Sequence, residues 1–182
     1  MTILLCPGMH PEAATESFKR SLSSQPVVTF PAHVQPSYSP QHVVTWLQSG
    51  SLPLQQGLCI VAFSAGVVGA LGAARLLWRE GVPIHTLIAL DGWGVPLQEA
   101  FPTHRLSCDK FTHQTSLLLG PRSGEHFYAD PSANHLQLWR SPQEVAGWRV
   151  SQGPTGKRAT THRTTAAVFL NELLQRYLLP VR

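Results

Sequence analysis

Apolar positions in this chain fall into short unbroken runs separated by mixed stretches. Thr2–Cys6 (TILLC) and Leu58–Phe63 (LCIVAF) have no charged position, and Ile84–Leu90 (IHTLIAL) is nearly as apolar. Runs of this length, rich in β-branched residues and lacking a polar face, suit strands buried on both sides. Residues 27–30 form a shorter run of the same kind. Between these runs the pattern changes to helical spacing. Residues 11–22 place Phe18 and Leu22 four apart behind Pro11, residues 40–47 begin at Ser39-Pro40 and stop at Ser49-Gly50, and the stretch from Val67 closes at Gly81 and Pro83. Four strand runs thus alternate with three helical stretches. That rhythm predicts an α/β fold, a three-layer sandwich with a mostly parallel central sheet.

The second half is less regular. Residues 93–115 carry aromatics, prolines and histidines without a period, and residues 115–119 read as a further strand. Asp130, in front of Pro131, is expected to cap a helix containing Leu136, Leu138 and Trp139. Residues 145–150 read as the last strand and 151–161 as a mobile polar loop. An amphipathic helix over 164–179, with Val168, Leu170, Leu173, Leu174 and Tyr177, returns the chain to the sheet.

Composition narrows the class. At 182 residues the chain is long enough for one well-buried domain, 1–182, without metal or disulfide staples. Only 13% of residues are charged, against roughly 25% in ordinary globular chains. The net charge of +4 is scattered, with only a mild excess over 140–182, and no basic cluster interleaves with aromatics, so nucleic acid is not an expected partner. Three cysteines without a Cys-x-x-Cys pair point to reduced thiols in a cytoplasmic protein. The opening MTILLCPG lacks the basic and apolar regions of a signal peptide. Residues 58–74 are free of charge, yet three glycines and a serine interrupt them and no second span follows, which disfavours a membrane helix. The nine histidines show no metal-binding spacing and there is no Gly-Lys-Ser/Thr loop. Neither a metal nor another cofactor is expected.

The candidate chemistry sits where the apolar run 58–63 meets the helix from Val67. To pass from strand to helix without a loop, the chain must turn sharply at Ser64, and Ala62, Ala65 and Gly66 are small enough to allow it. Such a turn lifts the hydroxyl above the sheet and aims the first helical amides at the same spot. Ligands of parallel sheets sit at the carboxyl ends of the strands, so Gly8, Ser64 and Asp91 fall on one rim. Gly8 ends the first strand, which lets the Met9 or His10 amide join that of Ala65 in receiving an oxyanion.

Ala62-Phe63-Ser64-Ala65-Gly66 resembles the Gly-x-Ser-x-Gly nucleophile elbow of α/β-hydrolase-fold serine hydrolases, with Ala62 in place of the first glycine. The wording FSAGVVGA, ALDGWGVPL and FYADP is also similar to a group of short cyanobacterial α/β-hydrolase-like proteins. The resemblance implies a minimal hydrolase domain acting on carboxylic esters or thioesters of a small acyl substrate through an acyl-Ser64 intermediate. It also implies a base and an acid following the serine in chain order. His162, ahead of the last helix, is the first choice of base, with His135 and His126 next. Asp91 and Asp130 compete as the acid, and Glu125 is a third candidate. Trp93, Phe101 and Phe111 are expected to form an apolar wall for the acyl group. Two other readings remain open: a hydrolase fold without activity that serves in binding or as a scaffold, and a dinucleotide loop, since Ser64-x-Gly66-x-x-Gly69 followed by Asp91 approximates that fingerprint.

Overall fold

The structure is a computed structural model that describes residues 1–22, 27–50, 52–120, 124–151 and 159–178. Eight strands form one sheet: β1 (Thr2–Cys6), β2 (Val27–Thr29), β3 (Leu58–Phe63), β4 (Ile84–Leu90), β5 (Thr103–Ser107), β6 (Glu125–Ala129), β7 (Ala146–Ser151) and β8 (Thr160–Thr165). Their order is β2-β1-β3-β4-β5-β6-β7-β8. The six strands from β1 to β6 run parallel, and β7 and β8 pair antiparallel at the far edge.

Among the described residues six helices cover the two faces: α1 (Glu12–Ser21), α2 (Pro40–Ser49), α3 (Gly66–Arg79), α4 (Lys110–Ser116), α5 (His135–Arg140) and α6 (Ala166–Leu178). Alternate side chains of the central strands explain the layering. Leu4, Cys6, Ile60, Ala62, Leu87 and Ala89 meet α2 and α3, whereas Ile3, Leu5, Val61, Phe63, Ile88, Leu90, Leu106 and Phe127 meet α1, α5 and α6. Every residue of β3 is buried, which is why its sequence shows no polar face.

The first half follows the hydrophobic pattern closely, and the second departs from it in three places. Residues 115–119 are not a strand. Asp109 starts α4 by accepting the Thr112 amide at 2.7 Å, and Leu117–Leu119 form a single 3-10 turn that leaves Leu118 exposed. The strand lies earlier, at β5, where His104 and Arg105 are buried with partners: His104 joins the Glu125 carbonyl and the Tyr177 hydroxyl, and Arg105 donates to the Val95 carbonyl. Polar residues satisfied by tertiary contacts conceal a strand from any apolar pattern. The third departure is β8. Its sequence TTHRTT has no apolar face because it is the sheet's outer edge, mostly exposed, and residues 152–158 of the expected polar loop lie outside the described residues. At the start of α5, Asn134 and not Asp130 accepts the capping amide, from Leu136 at 3.0 Å.

Candidate active site

Ser64 and Asp91 are the only non-glycine residues with positive φ among those described, at 52° and 50°. Left-handed backbone is costly for a residue with a Cβ and persists only where the surroundings fix it. At Ser64 those surroundings are explicit. Its amide donates to the Leu90 carbonyl at 3.0 Å, tying the turn to the end of β4, and its carbonyl accepts the Val67 amide as α3 begins. Two glycines let the neighbouring turn approach. A Cβ on Gly66 would lie 2.3 Å from the Cys6 carbonyl oxygen, and one on Gly8 would lie 2.9 Å from the Ser64 Cβ. The β1–α1 turn therefore packs directly on the Ser64 elbow.

Asp91 follows β4 and is nearly sealed, its side chain 5% exposed. Its two carboxylate oxygens divide the work: Oδ1 accepts the Cys108 amide at 3.1 Å and Oδ2 accepts His135 Nδ1–H at 2.5 Å. That hydrogen bond fixes the neutral tautomer of His135 and leaves Nε2 as a lone-pair acceptor. The imidazole is 49% exposed, and Phe63, the residue before the serine, stacks on it at 4.6 Å. Trp139 stacks on Phe63 at 5.2 Å and Phe18 on Trp139 at 3.7 Å, each such pair being worth about 1 kcal/mol. The histidine is thus held at one nitrogen and one ring face, over the residue that begins the elbow.

The Ser64 hydroxyl is partly exposed and, among the described residues, has no hydrogen-bonded partner. The backbone amides of Met9, His10 and Ala65 likewise donate to nothing among the described residues. Ala65 belongs to the Ser64 turn, and Met9 and His10 to the β1–α1 turn packed on it. No group of three or more metal-ligating side chains exists among the described residues. The thiols are poor competitors for the nucleophile: burial pushes Cys6 up to about 12, and burial followed by the Asp91 and Asp109 carboxylates pushes Cys108 well above its ordinary value.

Several expected residues lie elsewhere. His162 sits in β8, exposed and in register with Arg149. Because β8 is five strand positions from β3, it is separated from the elbow by about 24 Å at the usual strand spacing. The stretch expected to be a loop before the last helix is itself the edge strand, so the histidine beside Asp91 is the one at the start of α5. Asp130 accepts the Trp148 indole N–H at 2.8 Å and meets Arg163, with no histidine at its carboxylate. His126 is buried in β6 facing His113, whose ring also meets Tyr128. Glu125, at the start of the same strand, pairs with Arg149 and Arg176. Phe101 is 5% exposed and packs on Trp78 ahead of β5, at the opposite end of the sheet from Ser64. Trp93 and Phe111, at 66% and 72% exposed, do stand on the rim, with the Trp93 indole donating to Thr115 on α4.

The dinucleotide reading fails on space. The room that glycines would leave for a pyrophosphate is filled by the protein's own backbone, with Cys6 O 2.3 Å from a Cβ on Gly66 and Ser37 O 2.1 Å from one on Gly69. The mostly parallel eight-stranded sheet with helices on both faces is a three-layer α/β sandwich with an α/β-hydrolase-like fold. Among solved structures the chain is similar to YbtT, a type II thioesterase from the yersiniabactin NRPS/PKS biosynthetic pathway. The TM-score is 0.58 at 12% identity, covering 97% of this chain and 92% of that one. No family model matches the sequence, and no curated protein does.

Proposed function

We propose that the chain is a serine hydrolase of carboxylic esters or thioesters. The observation that carries this reading is the Asp91–His135 pair, its imidazole stacked on Phe63, the residue that precedes a left-handed Ser64. His135 Nε2 takes the Ser64 hydroxyl proton as Oγ bonds to the substrate carbonyl carbon. The carbonyl π electrons move onto its oxygen, which the amides of Ala65 and of Met9 or His10 receive. Collapse of that oxyanion expels the alkoxide or thiolate, which takes the proton from imidazolium. Water then repeats the sequence on the acyl-Ser64 ester and releases the acid. Asp91 keeps accepting from His135 Nδ1 and stabilises the imidazolium between the two transfers.

Thioesters are the favoured substrates, because the similar solved structure is described as a thioesterase and a small acyl compound fits a rim with few charges. Free buried Cys6 and Cys59 suit the reducing cytoplasm. No helix among the described residues is long and apolar enough to cross a membrane.

A fluorophosphonate probe tests the proposal. Labelling of the folded wild type that Ser64→Ala abolishes is the expected result. Absence of labelling in the folded protein would leave a fold that binds without catalysing.

A further inference from the structure

Trp139 lies wholly buried four positions after His135 on α5, so both rings stand on one face of that helix. Phe63 stacks with both, with centroids 4.6 Å from His135 and 5.2 Å from Trp139. The indole is also held by α1. Phe18 stacks on it at 3.7 Å, and Thr15, buried and three residues earlier on the same helix, accepts its Nε1–H at 3.2 Å.

Helix α5 has six residues, and a helix that short has little stability of its own. Packing must therefore set its rotation. A side-chain atom about 5–6 Å from a helix axis moves about 2 Å when the helix turns by about 20°. That displacement would take His135 Nδ1 off Asp91 Oδ2, which it meets at 2.5 Å. Stacking restrains the indole across its ring plane but lets it slide within that plane. A hydrogen bond from Nε1–H lies in the plane and stops the slide. Valine would fill the place of Thr15 equally well, so packing alone does not call for the hydroxyl.

We propose that Thr15 and Trp139 are positioning residues for His135: the hydrogen bond between them locks α5 to α1 and so keeps Nδ1 of the imidazole on Asp91. The inference rests on the hydrolase reading only for its effect on turnover, since the Asp91–His135 contact stands without it.

The test has two readouts on the full chain. Long-range ¹H–¹⁵N correlation of the His135 ring in mildly alkaline solution reports which nitrogen carries the proton, with no turnover needed, and hydrolysis of p-nitrophenyl acetate reports kcat and KM. Wild type is expected to hold the Nδ1–H tautomer. Thr15→Val should admit the Nε2–H tautomer and lower kcat roughly ten- to a hundredfold with KM within about twofold, while Thr15→Ser restores both. Trp139→Phe, which keeps a ring and loses the donor, should match Thr15→Val. Val43→Ala, buried in α2 on the opposite face of the sheet, should lower the urea midpoint and change neither readout, which separates positioning from loss of stability. A wild type that neither hydrolyses the ester nor labels with fluorophosphonate removes the hydrolase reading and leaves the tautomer comparison to decide this one. Thr15→Val with the wild-type tautomer overturns the assignment, as does a Thr15→Ser variant no better than Thr15→Val.

Discussion

At the scale of single residues, the choice among nine histidines is decided by what each imidazole touches. Only the ring at the start of α5 meets a buried carboxylate, and that carboxylate is also braced by the Cys108 amide. His135→Ala is therefore expected to lower esterase or thioesterase turnover, or the rate of fluorophosphonate labelling, by three orders of magnitude or more, and Asp91→Asn by a comparable factor. His162→Ala should leave both within twofold of wild type. Equal loss in His162→Ala, measured on protein with an unchanged circular dichroism spectrum, would reverse the assignment. From sequence alone His162 ranked ahead of His135, although both follow an acid and stand near the start of a helix. Which of them faces Asp91 depends on how many strands lie between.

At the scale of elements, the site is made by two strand-to-helix turns packed together. The β3–α3 turn carries the Ser64 hydroxyl, and the β1–α1 turn packed on it carries the Met9 and His10 amides. Gly66 is where they touch, with the Cys6 and Pro7 carbonyl oxygens 2.3 and 2.5 Å from the place of a side chain. Neither carbonyl belongs to a flexible side chain, so the backbone itself must move. Gly66→Ala is expected to cost about 2 kcal/mol or more in stability, as overpacking of rigid contacts does. The midpoint of urea unfolding measures it, and an unchanged midpoint would show that the two turns are not fixed against each other. These elements were legible in the chain because each announces itself locally, by an apolar run ending in small residues. β5, β6 and β8 were not, since their polar side chains are satisfied by partners distant in sequence or by solvent.

At the scale of the whole molecule, the sheet has a polar interior on one side. His113 of α4 faces His126 of β6, buried Arg105 of β5 lies in register with His126, and His104 lies on the opposite face beside Glu125 and Tyr177. Burial, reinforced by neighbouring positive charge, lowers His113 to about 4 and His126 to about 3, and burial also lowers His104. Unfolding restores each ring to its ordinary value of 6.5. Below that pH the unfolded chain binds protons the folded chain refuses, so stability is complete above it and falls as pH drops toward 4. Urea titrations between pH 7 and 4.5 should show this loss, starting before carboxylates titrate, and His126→Leu should make it shallower. A midpoint that is flat over that range would mean these rings take up protons in the folded protein.

What the sequence determined by itself was the parallel core and the serine at its hinge. Both are written in runs of adjacent residues, where an apolar stretch must be buried and a cluster of small residues must turn. Which histidine joins Asp91 was decided only by the tertiary structure. Whether a histidine lies beside Asp91 or several strands away depends on strand order and on the edge to which polar β8 is assigned, and hydrogen bonds between residues 44 apart in the chain leave no local pattern to read.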